Sequence, residues 1–201
     1  MVSKLISPLV ITGPSGVGKS TFIKRLLSHP SKKFELNVSH TTRNPRVGER
    51  DGFDYFFITR EEFERRIKND EFIEYAEVHK NLYGTAFSEV IRIAKKGNIP
   101  VLDIDVQGAL SMKKKEAEFH PNFLFIIPPS IKILEERLRA RGTESEESLR
   151  IRIAAAEKEI NMAKNSGIYK EEDYIVNDDL EVAYSKFYRK VLGLYTDVLS
   201  E

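Results

Sequence analysis

Short apolar runs alternate with amphipathic stretches along the 201 residues of this chain. The apolar runs predict buried strands at residues 5–12, 99–105 and 123–128, with a weaker candidate at residues 173–177. Helical periodicity occupies residues 21–27, 61–68, 88–96, 131–140, 146–165 and 180–199. Thr59 with Glu62, and Thr143 with Glu146, match the capping signal of a helix start. The alternation predicts an α/β fold, with a central parallel sheet flanked by helices.

Two stretches interrupt the strand–helix alternation. Residues 34–85 are rich in Tyr, Phe, Arg, Thr and Asp and contain short strand-like pieces such as residues 54–58, whereas residues 137–152 carry five arginines around a turn at Gly142. We therefore predict one domain, with a core of about residues 1–33, 86–130 and 157–201. The first interruption, about residues 34–85, would be an acceptor-binding insertion with a small mixed sheet, and about residues 131–156 would form a helical lid.

Composition and charge exclude several classes of function. The chain has 32 Lys and Arg against 31 Asp and Glu, a net charge of +1, so no overall field favours nucleic acid or an anionic membrane. The absence of cysteine excludes disulfides, thiolate metal sites and cysteine nucleophiles, and the four scattered histidines disfavour an imidazole site. No apolar run approaches the roughly 18 residues of a membrane helix, and the N-terminus fits no targeting signal. We expect a cytoplasmic protein with neither a membrane nor a nucleic-acid partner.

Residues 13–20 read Gly-Pro-Ser-Gly-Val-Gly-Lys-Ser, between a predicted strand and a predicted helix. This pattern in this context is typical of a phosphate-binding P-loop. Its glycines let backbone N–H groups turn toward phosphate oxygens, and the helix dipole adds partial positive charge there. Lys19 would reach the β- and γ-phosphates, and the Ser20 hydroxyl would hold Mg²⁺. The alternative is a glycine-rich turn with an incidental lysine, and the context favours binding of a nucleoside triphosphate.

An arginine pair could bind the phosphate of an acceptor. Arg43 and Arg46 lie three residues apart in a segment where Pro45 disfavours helix. With Tyr55 and Tyr83 they could hold a phosphate through bidentate guanidinium contacts and hydroxyl donors. An exposed basic loop is the alternative.

A carboxylate could read the base of that acceptor. In Glu71-Phe-Ile-Glu74 the alternation turns the two carboxylates to different sides of a strand, so that one of them could face inward. Guanine offers N1–H and N2–H₂ as two parallel donors to one carboxylate, whereas adenine has an acceptor at N1. A solvated edge strand would show the same pattern.

Two further groups of charges stand at positions where a P-loop enzyme needs them. Asp103 and Asp105 end a predicted strand, where ligands bind in open α/β sheets, and could face Mg²⁺ or its waters; capping of the next helix is the alternative. The five arginines, Arg137, Arg139, Arg141, Arg150 and Arg152, could close over a migrating phosphoryl group, or simply line a solvated helix face.

Nearly the whole chain resembles the guanylate kinase family. The motifs that carry the resemblance, in order, are residues 13–20, 39–46, 48–52, 71–74, 83–85, 102–108, 128–130, Arg137, residues 141–144 and residues 175–179. A P-loop alone indicates a superfamily, whereas this ordered set is specific. The resemblance implies ATP + GMP ⇌ ADP + GDP with Mg²⁺, and no obligate protein partner for what we expect to be a monomer.

The resemblance also implies a role for individual residues. It assigns the GMP phosphate to Arg43, Arg46, Tyr55 and Tyr83, and guanine to Ser39, Glu74, Thr85 and Asp103, with Gly84 beside them. ATP would contact Gly13, Pro14, Ser15, Gly16, Val17, Gly18, Lys19, Ser20, Thr21 and Asn177. Lys19, Arg43, Arg137, Arg141 and Arg152 would be catalytic, and Mg²⁺ would be held by Ser20 and, through water, Asp105. Thr85 and His40 stand where relatives often carry Ser or another small residue.

Two other functions are consistent with such a fold. One is an interaction module that resembles guanylate kinase but binds peptides; such modules typically degrade the P-loop, which is intact here. The other is a P-loop kinase for a different small acceptor. Glu74 and Ser39 speak against it because together they complement guanine, and an unmatched buried polar partner costs specificity factors of roughly 10⁴–10⁵.

Overall fold

Residues 5–78, 80–140 and 145–200 are described by the computed structural model. Its strands are β1 (Leu9–Thr12), β2 (Phe34–Leu36), β3 (His40–Thr41), β4 (Phe56–Phe57), β5 (Phe72–Val78), β6 (Asn81–Ala86), β7 (Ile99–Asp103), β8 (Asn122–Ile127) and β9 (Tyr174–Val176). Its α-helices are α1 (Lys19–Leu27), α2 (Arg60–Lys68), α3 (Phe87–Lys95), α4 (Val106–Lys114), α5 (Glu116–Phe119), α6 (Ile131–Ala140), α7 (Glu146–Asn165), α8 (Leu180–Leu194) and α9 (Thr196–Leu199). None of these helices is both long and apolar enough to cross a membrane.

The central sheet has five strands in the order β2-β7-β1-β8-β9, and every pair is parallel. Its middle strand, β1, is buried along its whole length. Leu9 and Ile11 pack into an apolar cluster that contains Phe22 and Phe187, and Val10 packs into a second cluster on the opposite face. A strand covered on both faces reads as a continuous apolar run, which is why β1 could be predicted. The predicted α/β fold with a helix-flanked parallel sheet is confirmed.

A second, mixed sheet of four strands has the order β4-β3-β6-β5. It has its own small apolar cluster of Phe63, Phe72, Leu82 and Ala86, in which the Phe63 and Phe72 rings stack with centroids 4.3 Å apart. Helices α6 and α7 share another cluster, formed by Leu134, Leu138, Leu149 and Ala156. The two segments that interrupt the βαβ pattern therefore each bury a local core. Strand β2, although within residues 34–85, belongs to the central sheet.

Element ends differ from the sequence prediction for identifiable reasons. Pro8 has no N–H to donate, and the first strand begins after it rather than at residue 5. Strand β7 ends at Asp103 rather than at residue 105, because Asp105 is the N-cap of α4, a helix that the periodicity did not predict. The last predicted helix divides at Tyr195 into α8 and α9. Ser145 caps α7, and Thr143 lies outside the described residues.

His40 is a buried, neutral imidazole in β3. Its ring stacks on Phe56 with centroids 4.8 Å apart, and its Nε2 lies 3.1 Å from the Arg66 guanidinium. Burial, together with the positive charge of Arg66, lowers the pKa of His40 to about 4. Unfolding restores the ordinary pKa of about 6.5, so the unfolded chain binds this proton at a higher pH than the folded protein.

We expect His40 to contribute up to about 3 kcal/mol of stability above pH 6.5, lost as the pH falls toward 4. The Glu74 carboxyl, whose pKa is raised to about 7, contributes in the opposite direction over an overlapping range. The test is therefore urea unfolding at pH 7.5 and 5.0 of the wild type and His40→Gln, because the Glu74 contribution cancels in the difference. The wild type should lose more stability than the variant on acidification, and an equal loss in the two proteins would contradict the prediction.

Candidate active site

The P-loop connects β1 to α1 at the centre of the main sheet. Gly13 has φ +137°, and a Cβ there would lie 2.1 Å from the Ile126 carbonyl oxygen, so only glycine fits beside β8. Gly18, at φ +105°, is the N-cap of α1 and provides no side-chain cap, which leaves the first N–H groups of the helix available to an anion. The loop therefore has the shape that a phosphate site requires.

Lys19 lies at the start of α1 and points back across the loop. Its ammonium donates a hydrogen bond to the Gly13 carbonyl and lies 4.0 Å from Asp103 Oδ1. Desolvation raises the pKa of Asp103, and the positive charge of Lys19 opposes that shift. The end of β7 thus faces the P-loop, as the sequence predicted from the position of Asp103.

Asp105 makes a different contact from Asp103. One of its carboxylate oxygens accepts a hydrogen bond of 2.8 Å from the Gly108 N–H, so it caps α4. The capping alternative considered for these two aspartates therefore holds for Asp105. The side chain also lies close enough to Glu74 for its negative charge to raise the pKa of that residue.

Glu74 lies in β5, an edge strand of the second sheet. Its Oε1 accepts a hydrogen bond of 3.0 Å from the Thr85 hydroxyl, and the Ser39 hydroxyl lies 3.4 Å from that of Thr85. The close approach of α4 is possible because residue 108 is glycine: a Cβ there would lie 3.0 Å from Glu74 Oε2. Burial and the Asp105 carboxylate raise the pKa of Glu74 to about 7. Three residues predicted to contact guanine are therefore adjacent.

The residues predicted to bind the acceptor phosphate form a second cluster, around Arg43 in the segment after β3. The guanidinium of Arg43 makes two 2.9 Å hydrogen bonds to Glu49 and lies 5.4 Å from the ring centroid of Tyr55. The Tyr55 and Tyr83 rings are 5.9 Å apart, and the Tyr83 hydroxyl also interacts with Arg43. The Arg46 backbone N–H donates to Glu49 as well, at 2.7 Å.

Two of the arginines predicted to line a lid contact the P-loop or the residues after β9. Arg137, in α6, donates to the backbone carbonyls of Asn177 (2.6 Å) and Asp178 (2.8 Å). Arg152, in α7, donates to the Ser15 hydroxyl at 2.8 Å. Arg141 lies outside the described residues. Asn177 itself donates through Nδ2 to the Val17 carbonyl at 2.7 Å, so it touches the P-loop directly.

A family model described as guanylate kinase matches residues 6–192. The chain belongs to the guanylate kinase family. The guanylate kinase of Sus scrofa is 47% identical over 177 residues, which cover 88% of this chain and 87% of that protein. The guanylate kinase of Homo sapiens is 46% identical over 179 residues, covering 89% of each chain. A crystal structure of guanylate kinase from Anaplasma phagocytophilum matches with a TM-score of 0.62 at 33% identity, covering 95% of this chain and 87% of that one.

Glu49 contacts both arginines that were predicted to bind the acceptor phosphate, although the sequence motifs assigned it no role. Its bonds to Arg43 and to the Arg46 N–H hold the pKa of Glu49 down at about 2, so the carboxylate stays charged. One carboxylate thus fixes both positions at which arginines were predicted to bind a phosphate. The spacing Arg-x-x-Arg-x-x-Glu was the signal available in the sequence.

The described residues also bear on the magnesium that the guanylate kinase family implies. They contain no group of three or more His, Asp or Glu side chains arranged to hold a metal ion by themselves. This suits Mg²⁺, which keeps several waters and is commonly bound by one or two protein groups together with the phosphates of its nucleotide. Ser20, in the first turn of α1, Asp103 at the end of β7 and Asp105 after it are the groups available for it.

Proposed function

We propose that this chain transfers the γ-phosphoryl group of ATP to GMP, giving ADP and GDP. As a member of the guanylate kinase family it is an ATP:GMP phosphotransferase. The proposal rests on the residues at the end of β7, which contact both the P-loop and the second sheet. Asp103 lies 4.0 Å from Lys19 of the P-loop, and Asp105 interacts with Glu74 of the second sheet. A donor phosphate and an acceptor nucleotide would therefore meet above this strand.

The acceptor is bound from its base to its phosphate along the second sheet. The ionised Glu74 accepts from guanine N1–H and N2–H₂, while the hydroxyls of Ser39 and Thr85 complete the base contacts, with Asp103 beside them. At the other end Arg43, Arg46, Tyr55 and Tyr83, next to Gly84, bind the phosphate. Adenine would place its N1 acceptor against the Glu74 carboxylate, and such a mismatch in a buried polar site is strongly disfavoured.

The donor is bound by the P-loop and the lid. Backbone N–H groups of residues 15–21 surround the ATP phosphates, and Lys19 neutralises charge on the β- and γ-phosphates. Asn177, already in contact with the loop, lies on the adenine side. Ser20 and, through water, Asp105 would hold Mg²⁺, which would supply electrostatic stabilisation of the phosphate charge. Arg137, Arg141 and Arg152 neutralise the charge that spreads over the group in transfer.

Transfer itself requires little covalent chemistry from this chain. The attacking GMP phosphate oxygen is already anionic, so no strong general base is needed. The residues hold donor and acceptor in line and exclude water, which would otherwise hydrolyse ATP. The second sheet and the α6–α7 lid, each with a small core of its own, are suited to move as units and close over the substrates.

A coupled assay of ADP release tests this function. With Mg·ATP present, we expect turnover with GMP and at least 10³-fold lower kcat/KM with AMP, CMP or UMP, following roughly the discrimination that a buried polar mismatch provides. Comparable turnover with another nucleotide would assign a different acceptor. Absence of both turnover and ATP binding in folded protein would favour the peptide-binding module.

A further inference from the structure

One face of α7 lies along the P-loop. Arg152, Ala156, Glu159 and Ala163 follow one another at spacings of four, three and four residues, which places them on the same side of the helix. Ala156 and Ala163 are buried, and their small side chains allow close packing. Arg152 contacts Ser15 at the tip of the loop, 2.8 Å away, and Glu159 lies two turns further on. The same helix face therefore reaches the loop at two points.

Glu159 interacts with the first residue of the P-loop. Burial raises the pKa of this carboxyl, the positive charge of Lys19 opposes the shift, and so does the Gly13 backbone N–H, which faces the side chain. Its Oε1 atom is buried and has no hydrogen-bond partner among the described residues. A buried carboxylate oxygen without a partner is costly, so its presence here calls for an explanation in the groups that it faces.

Gly13 is contacted from both sides. Its carbonyl oxygen accepts the hydrogen bond from the Lys19 ammonium, and its N–H faces Glu159. Its backbone also has φ +137°, a conformation that L side chains rarely adopt, and it lies against β8. The backbone at Gly13 therefore contacts both the Lys19 ammonium and Glu159 at the start of the loop.

We propose that Glu159 is a positioning residue for the donor nucleotide, which acts through Gly13 and Lys19 rather than by touching the substrates. It accepts from the Gly13 N–H beside the Lys19 ammonium, and so keeps the loop and its lysine in the arrangement that receives phosphate. Because Glu159 shares a helix face with Arg152, the same helix contacts the first residue of the loop and Ser15 at its tip. This inference rests on the proposed function, since it assumes that the P-loop receives the donor phosphates.

The test compares Glu159→Ala, Glu159→Gln and, as a matched control, Glu157→Ala on the exposed side of the same helix. Calorimetry should show that Glu159→Ala weakens Mg·ADP binding about tenfold, the effect of losing one hydrogen bond to a charged group, while GMP binding is unchanged. Glu159→Gln keeps an acceptor oxygen for the Gly13 N–H and should recover most of the affinity. Glu157→Ala should bind both nucleotides as the wild type does.

Three outcomes would overturn the proposal. Equal weakening of ADP and GMP binding, in step with a fall in melting temperature, would make Glu159 a structural residue only. Unchanged ADP binding in Glu159→Ala would remove its role altogether, and a Gln variant as weak as the Ala variant would exclude the acceptor role. Binding of ADP is measured without turnover, so these outcomes are distinct from failure of the wild type to phosphorylate GMP.

Discussion

Replacing Lys19 with Met should lower kcat for phosphoryl transfer by a factor of about 10²–10³ while the chain stays folded. The Lys19 ammonium now donates to the Gly13 carbonyl and lies 4.0 Å from Asp103, so it is already held at the mouth of the loop. A methionine of similar length removes the charge that would stabilise the β- and γ-phosphates. Loss of one partly exposed hydrogen bond costs the fold only about 1 kcal/mol.

The matched control is Lys24→Met, an exposed lysine in the same helix α1. Steady-state kinetics with Mg·ATP and GMP, together with urea unfolding, separates catalysis from stability. We expect Lys24→Met to keep wild-type turnover and both variants to unfold within about 1 kcal/mol of the wild type. Near-normal turnover of folded Lys19→Met would remove this lysine from the catalytic group.

The fold was predictable where apolar periodicity was strong. The central strands read as continuous apolar runs, and helices α6 and α7 have the bounds that the sequence predicted. Helix α4 was missed because Gln107, Gly108 and Ser111 dilute its apolar face. Its signal was present in the spacing of Val106, Ala109 and Met112 after the N-cap Asp105.

The sequence named candidate site residues one by one, but it did not indicate which of them contact one another. The motifs named Arg43 and Glu74, yet only the three-dimensional structure brings Glu49 onto Arg43 and Asp105 beside Glu74. Glu159 lies 146 positions from Gly13 in the chain, in a helix whose other carboxylates face solvent, so no local pattern distinguishes it. Contacts between residues so far apart in the sequence depend on how α7 packs against the P-loop. The hydrophobic periodicity of a helix does not specify that packing.

Replacing Glu74 with Gln should lower kcat/KM for GMP by about 10²–10³, with the KM for ATP within about twofold of the wild type. The reason is the direction of the hydrogen bonds. Guanine N1–H and N2–H₂ are both donors, and an ionised carboxylate offers an acceptor to each. A glutamine amide offers one acceptor and turns an NH₂ donor against the other guanine donor, which leaves a buried donor unsatisfied.

Glu71→Gln is the control for this variant, because Glu71 lies three residues away and bonds to Asn69 rather than to the base-reading group. It should retain the GMP selectivity of the wild type. An unchanged ratio of GMP to AMP turnover in Glu74→Gln would exclude Glu74 from base recognition.

The raised pKa of Glu74 adds a second, independent measurement on the same variant. With a pKa of about 7, the free protein carries a protonated Glu74 at pH 6 and an ionised one at pH 8. Only the ionised form accepts both guanine donors, so GMP affinity should rise about tenfold across this range. The GMP phosphate titrates near pH 6 as well, but it contributes equally to wild type and Glu74→Gln. Any difference in the pH dependence of GMP affinity between the two proteins therefore comes from Glu74. Identical pH profiles would show that this carboxyl does not contact the base.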